Sequence, residues 1–176
     1  MDTGYVVLIW IVTLLALAYL FFAIYTIIVL VDFKEKLSKR FVALSVVYSE
    51  KKEVLLSLFS LYQKAKLPLE NEIKVAKKDV VSLVTEARDE KESITIVNTL
   101  NAFQRRLSLL GEEERYIQQS PDFLGYMNTL KDLDNNYHRI VAAYNADLSG
   151  YEYWRKRTIY RWLTWTLGFR KRDRLA

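Results

Sequence analysis

Residues Tyr5 to Val31 read YVVLIWIVTLLALAYLFFAIYTIIVLV, a run of 27 residues without a single charged side chain. As a helix this run would measure about 40 Å at about 1.5 Å per residue, against a bilayer hydrocarbon core of about 30 Å. It is therefore long enough to cross a membrane once with some tilt. We predict a transmembrane helix over residues 5–31, preceded by a short external N-terminus of residues 1–4.

A cleaved secretory signal peptide is the competing interpretation of this run, because Ala16-Leu17-Ala18 resembles a small-residue cleavage site. No Lys or Arg precedes the run, however, and it continues for 13 residues beyond Ala18, which favours an uncleaved span. Basic residues follow the run on its other side: Lys34, Lys36, Lys39, Arg40, Lys51 and Lys52. By the positive-inside rule we expect a single-pass protein of the cell membrane with its body in the cytoplasm.

The composition excludes most catalytic chemistry. The 176 residues contain one His, no Cys, two Pro and five Gly. Without cysteine the chain has no disulfide framework, no thiolate zinc site and no thiol nucleophile. Asn135 stands three residues before the only histidine, His138, so the Glu-x-x-His motif of metal-binding bundles is absent, as are the HExxH, P-loop and GxGxxG patterns. We predict that the protein is not an enzyme and binds neither a cofactor nor a metal.

The body of the chain, residues 32–150, has the apolar periodicity of long amphipathic helices. No Gly or Pro occurs between Gly4 and Pro68, so the first helix is expected to continue from the span into the body. Its apolar stripe consists of Leu37, Phe41, Leu44, Tyr48, Leu55, Leu58 and Tyr62. A second helix is predicted over residues 69–110 and ended by Gly111, with a stutter near the charged residues 89–92.

A third helix is predicted to begin at Ser120-Pro121-Asp122, which combines a capping hydroxyl, a first-turn proline and an early carboxylate. One apolar residue follows in every heptad: Phe123, Leu130, Tyr137, Tyr144 and Tyr151. Gly150 is expected to interrupt this helix. Together the patterns predict an all-α fold, in which one N-terminal transmembrane helix continues into a long antiparallel helical bundle.

The last predicted segment, residues 151–176, is basic and aromatic, with a helix expected over about residues 151–169. From Arg155 onward it contains eight basic residues and one acid. Only eight residues separate Arg161 from Arg170, too few for a second span of about 20 residues. Its tryptophans either bind a membrane surface together with the arginines or complete the bundle core. Nucleic-acid binding is not expected, because no recognition motif accompanies the basic residues.

Two groups of candidate site residues follow from these patterns. The expected membrane-surface or interaction residues are Trp154, Arg155, Lys156, Arg157, Arg161, Trp162, Trp165 and Arg170. The expected bundle-packing motif comprises Tyr137, Tyr144, Asn145 and Tyr151, with Asn145 acting either as a local polar clasp or as an exposed polar residue. The expected partners are anionic membrane lipids, and a second copy or an integral membrane protein remains open.

Several short motifs resemble those of LemA-family proteins. Where that family has Phe-Leu, Tyr-Asn and a closing Gly-Phe, this chain has Phe123-Leu124, Tyr144-Asn145 and Gly168-Phe169. Ala87-Arg88 matches the family's Ala-Arg pair. The chain departs from the family where Leu56-Ser57 replaces Pro-Asn and Glu152 replaces the Asn of a second Tyr-Asn pair. The resemblance implies a divergent member with one N-terminal span, a cytoplasmic helical bundle and no established catalytic activity.

The leading hypothesis is a non-enzymatic, LemA-like single-pass membrane protein that acts as an anchored scaffold or docking module. Its basic C-terminal helix would bind the membrane surface. The alternative is an accessory subunit of a membrane transporter, protease or signalling complex, bound through its span. The span lacks the Gly-x-x-x-Gly spacing that favours close helix association, which weakens this alternative.

Overall fold

The computed structural model of the chain is all-helical. It describes residues 3–65, 71–113, 115–156 and 161–175, apart from the side chains at 3, 113, 115, 116 and 161–163. No strand occurs among these residues, so the prediction of an all-α fold is confirmed. The helices are α1 (Thr3–Lys64), α2 (Asn71–Ser82), α3 (Glu90–Glu113), α4 (Arg115–Gln118), α5 (Pro121–Lys156) and α6 (Arg161–Thr166).

The first helix is long and apolar enough near its N-terminus to cross a membrane. It is the single helix of this kind within the described part of the chain, and none of its most apolar stretch is buried by the other described residues. As expected from the absence of Gly and Pro, α1 continues without a break to Lys64.

Two compact units make up the chain. The small unit consists of Met1–Leu37 and Ala146–Arg172, and the bundle unit consists of Ser38–Asn145 and Asp173–Ala176. Because α1 and α5 are long, each contributes residues to both units.

Within the bundle unit, α1 and α5 are antiparallel neighbours. Their aromatic rings meet at Phe41–Tyr144, Tyr48–Tyr137 and Tyr62–Phe123, with centroids 5.4, 6.2 and 6.4 Å apart. From each contact to the next, both helices advance by the same number of residues in opposite directions, seven and then fourteen. Heptad spacing in both helices therefore keeps one continuous apolar seam.

The other helices of the bundle unit alternate in direction. Helix α3 runs parallel to α1, because Tyr48 bonds Ser93 near the start of α3 and the Tyr62 hydroxyl donates to the Leu107 carbonyl near its end. Helix α2 runs antiparallel to α1, since Lys52 reaches the Val81 carbonyl while Lys77 lies over the ring of Phe59. The unit is thus a four-helix, up-down-up-down bundle, as short connections favour.

The predicted second helix over residues 69–110 is wrong, because α2 ends at Ser82 and α3 begins at Glu90. Asp89 accepts a hydrogen bond from the Glu92 backbone N–H at 2.8 Å, and the Glu92 carboxylate accepts one from the Arg88 backbone N–H at 2.7 Å. This reciprocal pattern is close to a capping box, which starts a new helix. The charged residues 89–92 are therefore a helix start rather than a stutter.

Two glycines that were expected to end helices lie inside them instead. Gly111 belongs to α3 and Gly150 to α5. A Cβ atom at Gly111 would lie 2.5 Å from the Tyr62 hydroxyl, and one at Gly150 would lie 2.5 Å from Cζ of Phe33. Both glycines therefore allow close approach of an aromatic ring, and the predicted interruption at Gly150 does not occur.

We expect the substitution Gly111→Ala to destabilise the bundle by about 1–2 kcal/mol. Overpacking a full site costs about 1–3 kcal/mol, and the better helix propensity of Ala returns up to about 1 kcal/mol. Gly125 lies inside α5, where an added Cβ atom would have no neighbour within 4 Å, and it provides the matched control. Gly125→Ala should stabilise by about 0.5–1 kcal/mol. Thermal unfolding followed by circular dichroism measures both, and equal shifts would contradict the packing role of Gly111.

Candidate functional site

The small unit is built where the last turns of α5 meet α1. The rings of Tyr25 and Trp154 pack edge-to-face, with centroids 5.8 Å apart, and Phe33 lies against Gly150. Thr26 and Leu30 are fully buried on the same stretch of α1, whereas every side chain from Gly4 to Phe22 is exposed. Burial of α1 by other parts of the small unit therefore begins near Tyr25. The apolar part of α1 before Tyr25 is not buried by any other described residue.

The predicted bounds of the last helix, residues 151–169, are wrong at both ends. Residues 151–156 belong to α5, which begins at Pro121, and α6 (Arg161–Thr166) ends before Phe169. Residues 157–160 lie outside the described residues. Gly168 has a φ of 72°, its N–H bonds the Trp165 carbonyl at 3.2 Å, and the Phe169 N–H bonds the Thr164 carbonyl at 3.0 Å. These two bonds and the left-handed glycine form a Schellman motif, which ends α6 sharply.

The tryptophans of the candidate membrane-surface group have different environments. Trp165 is 82 % exposed, and Leu167 beside it is half exposed. Trp154 is half-buried by its contact with Tyr25, while its neighbour Tyr153 is exposed. The sequence left two roles open for these tryptophans, packing inside the protein or binding a membrane surface. The half-buried position of Trp154 fits packing. The exposed position of Trp165 fits contact with another surface.

The basic residues of this group are partly neutralised within α5. Arg155 donates two hydrogen bonds to the Glu152 carboxylate, at 2.9 and 2.8 Å, and Lys156 lies 3.3 Å from the same carboxylate. Burial by itself would raise the pKa of Glu152, but the bonds from Arg155 and Lys156 outweigh it and lower that pKa. Glu152 is therefore ionised at neutral pH, and its charge offsets part of the local positive charge.

The remaining basic residues are placed as follows. Arg170 is exposed, and its backbone carbonyl accepts a hydrogen bond from the Tyr151 hydroxyl at 2.9 Å. Arg161 and Trp162 lie in α6, but their side chains fall outside the described part of the structure. Arg157 lies outside the described residues altogether.

The tyrosines of the predicted packing motif are buried. Tyr137, Tyr144 and Tyr151 are all at most 8 % exposed. The Tyr144 hydroxyl donates to the Glu90 carboxylate at 2.8 Å, and burial raises the pKa of both Tyr137 and Tyr151. Their hydroxyls therefore remain protonated hydrogen-bond donors at neutral pH.

Asn145 acts as a polar clasp, because its side chain binds backbone groups, but these groups belong to a residue that is distant in sequence. It is half-buried, and its side-chain amide exchanges two hydrogen bonds with the backbone of Leu175, 30 residues further along the chain. Leu175 itself is 4 % exposed. Sequence spacing offered no signal for this contact, because no periodicity connects a helical residue with a distant non-helical segment.

A buried polar layer in the bundle unit was not anticipated from the sequence. Lys51 is 3 % exposed, and its ammonium donates to Asp134 at 2.5 Å and to Asn101 at 2.6 Å. Gln104 donates to the second oxygen of the Asp134 carboxylate at 3.0 Å. Lys51 occupies the heptad position shared by Leu37, Leu44 and Leu58, and this interruption is the signal that could have revealed the layer.

Beside the polar layer is an open groove, lined in part by Arg105, Ser108 and the exposed His138. The buried Oε1 atom of Gln104 has no hydrogen-bond partner among residues 3–65, 71–113, 115–156 and 161–175. Among the described residues, no group of three or more His, Cys, Asp or Glu side chains is arranged to hold a metal ion.

No known family, curated protein or solved structure matches the chain. The geometry of the two units is therefore the basis for any statement about function.

We expect removal of Asp134 to destabilise the bundle more than removal of Lys51. Asp134→Ala leaves the Lys51 ammonium buried with Asn101 alone and should destabilise the bundle by about 3 kcal/mol. Lys51→Met leaves Asp134, whose side chain is 35 % exposed and still bonded to Gln104, and should cost about 1 kcal/mol. Because the two residues interact directly, the double variant should lose about 1–2 kcal/mol less than the sum.

Urea unfolding of the four proteins in one double-mutant cycle measures this coupling. The exposed pair Lys36–Asp32 is the matched control, since its two side chains are 50 % and 55 % exposed. Its cycle should show no measurable coupling in moderate salt. Additive effects at Lys51 and Asp134 would contradict the proposed interdependence.

Proposed function

We propose that this chain is a non-enzymatic, single-pass membrane protein that holds a helical scaffold or docking module at the cytoplasmic membrane surface. The observation that carries the proposal is the match between the uncovered part of α1 and the thickness of a bilayer. Residues Gly4 to Phe22 are all exposed, and 19 helical residues extend about 28 Å at about 1.5 Å per residue. A hydrocarbon core is about 30 Å thick.

The position at which the side chains of α1 become buried supports the same proposal. In water, a stretch of apolar side chains as long as Gly4 to Phe22 would be strongly unfavourable, at about 25 cal/mol for each Å² of exposed apolar surface. Lipid is the environment that removes this cost without a protein partner. Tyr25 and Trp154 meet where the exposed stretch ends, and such aromatic residues are enriched at membrane interfaces.

The exposed aromatic and basic side chains of the small unit supply the surface-binding chemistry. Trp165, Tyr153 and Leu167 are exposed apolar or amphipathic groups, and Arg170 and Lys156 are exposed cations. A tryptophan ring prefers the headgroup region, and each nearby basic residue adds on the order of 1 kcal/mol at an anionic leaflet. Because Glu152 offsets part of the charge on Arg155 and Lys156, aromatic contact is expected to contribute more than charge at this surface.

Orientation and family are parts of the same proposal. The basic residues that follow the apolar stretch, Lys34, Lys36, Lys39 and Arg40, favour a cytoplasmic body. Two motifs that resemble the LemA family have structural roles in this chain, since Asn145 binds the tail backbone and Gly168 ends α6. These roles support, as a proposal, the assignment to a divergent LemA-like protein.

The surface-binding role is tested with the full-length protein in lipid nanodiscs. Replacing Trp10, Trp154 and Trp162 with Phe leaves Trp165 as the single tryptophan, which can be excited selectively over the tyrosines. We expect its fluorescence to be quenched by lipids brominated near the headgroup, and more strongly when half of the lipid is anionic, because Trp165 would lie in the interface.

A matched control places the single tryptophan elsewhere. Val81 is 53 % exposed on α2, so Val81→Trp in a background where Trp165 is also Phe reports on a surface of the bundle unit. This tryptophan should not be quenched. Equal quenching at both positions, or none at Trp165, would contradict the proposed surface contact. Recovery of one stoichiometric integral protein from native membranes would instead favour the accessory-subunit alternative.

A further inference from the structure

The described chain ends in a non-helical tail, residues 173–175, that lies on α5 within the bundle unit. The Asn145 Nδ2 group donates to the Leu175 carbonyl at 2.8 Å, and the Leu175 N–H donates to Asn145 Oδ1 at 3.1 Å. One side-chain amide thus binds both the donor and the acceptor of a single residue. Two residues of an antiparallel sheet exchange the same pair of bonds, so Asn145 acts as a substitute for a neighbouring strand.

The side chains of the tail divide into one buried anchor and exposed neighbours. Leu175 is 4 % exposed, whereas Asp173 and Arg174 are exposed. The Asp173 carbonyl lies 3.4 Å from the Tyr144 hydroxyl, whose proton is directed to Glu90 at the shorter distance of 2.8 Å. Hydrogen bonds to the peptide backbone combined with burial of selected side chains are the usual features of extended-peptide recognition.

We propose that Asn145, together with the surface that buries the Leu175 side chain, forms a peptide-binding site that the chain's own tail occupies. Its ligand is an extended segment with a branched aliphatic residue at the Asn145 position and charged residues beside it. The site reads backbone groups and one apolar side chain, so the same segment added as a separate peptide is recognised in the same way. This proposal does not require the membrane role, since none of these contacts involves lipid.

Covalent attachment favours the chain's own tail over a free peptide. Short flexible tethers give effective concentrations of about millimolar, so an attached tail excludes a weakly binding competitor. The small footprint of two backbone hydrogen bonds and one leucine side chain indicates weak binding by a separate peptide. Occupation by the attached tail is therefore the resting state, and removal of the tail opens the site.

The direct test removes residues 173–176 from the otherwise full-length protein in detergent. A fluorescein-labelled peptide of residues 169–176, FRKRDRLA, is then titrated and its anisotropy measured. We expect the truncated protein to bind the peptide, and the intact protein to bind it at least about tenfold more weakly because its own tail competes. The peptide with Leu175→Asp should bind at least about tenfold more weakly, since it would place a charge where the Leu175 side chain is 4 % exposed.

The clasp is tested by adding Asn145→Leu to the truncated protein. Loss of two hydrogen bonds predicts about tenfold weaker peptide binding. Asn128, which is exposed on α5, gives the matched control, and Asn128→Leu should leave binding unchanged. Absence of binding to a truncated protein of normal helicity, or equal binding with and without Asn145→Leu, would overturn the proposal.

A second measurement uses the intact chain and applies even if truncation disrupts folding. Trypsin requires an extended, released segment to cleave after Arg174, and docking of Leu175 protects that bond. We expect Asn145→Leu to increase the rate of cleavage at Arg174 about tenfold, while cleavage after the exposed Lys78 on α2 stays constant. An unchanged rate at Arg174 would overturn the proposal.

Discussion

The antiparallel contact between α1 and α5 is the constraint on which the bundle unit depends. Both helices place aromatic rings at heptad intervals, and the rings meet in register at Phe41–Tyr144, Tyr48–Tyr137 and Tyr62–Phe123. A helix with a heptad stripe needs a partner with the same period, because a different period would turn the stripe towards water. Helices α2 and α3 then cover the remaining sides of this pair.

The buried polar layer also restricts the register in which α1 and α5 pack against each other. Lys51 meets Asp134 only in the register that also joins the three aromatic pairs. Shifting α5 by one heptad would put Met127 or Val141 opposite an ammonium that is 3 % exposed, which leaves a buried charge unpaired. A polar residue at a single core position is a known means of selecting one register at some cost in stability. We infer that role for Lys51 in this bundle.

Sequence periodicity predicted the all-α fold, the unbroken first helix and most of the buried helix faces, because helical period depends only on residue spacing. It predicted the burial of Tyr137, Tyr144 and Tyr151 for that reason. It did not predict the helix break at residues 83–89, where the Asp89–Glu92 cap starts a new helix. It also wrongly predicted that Gly111 and Gly150 interrupt their helices, because the aromatic ring that approaches each glycine comes from another helix. The Asn145–Leu175 clasp was also beyond reach, since it joins two segments that no local pattern connects.

The frequent use of tyrosine along the α1 and α5 seams has a physical explanation. A phenylalanine would fill almost the same space, but it could not bond the polar groups that the neighbouring helices bring to the seam. Tyr48 bonds Ser93, Tyr62 bonds the Leu107 carbonyl and Tyr144 bonds Glu90. Burial raises the pKa of Tyr48 and of Tyr62 to about 12, so both hydroxyls keep their protons at neutral pH. Each ring therefore contributes apolar area along α1 or α5 and a directional bond to α3, and that bond fixes which face of α3 is turned inward.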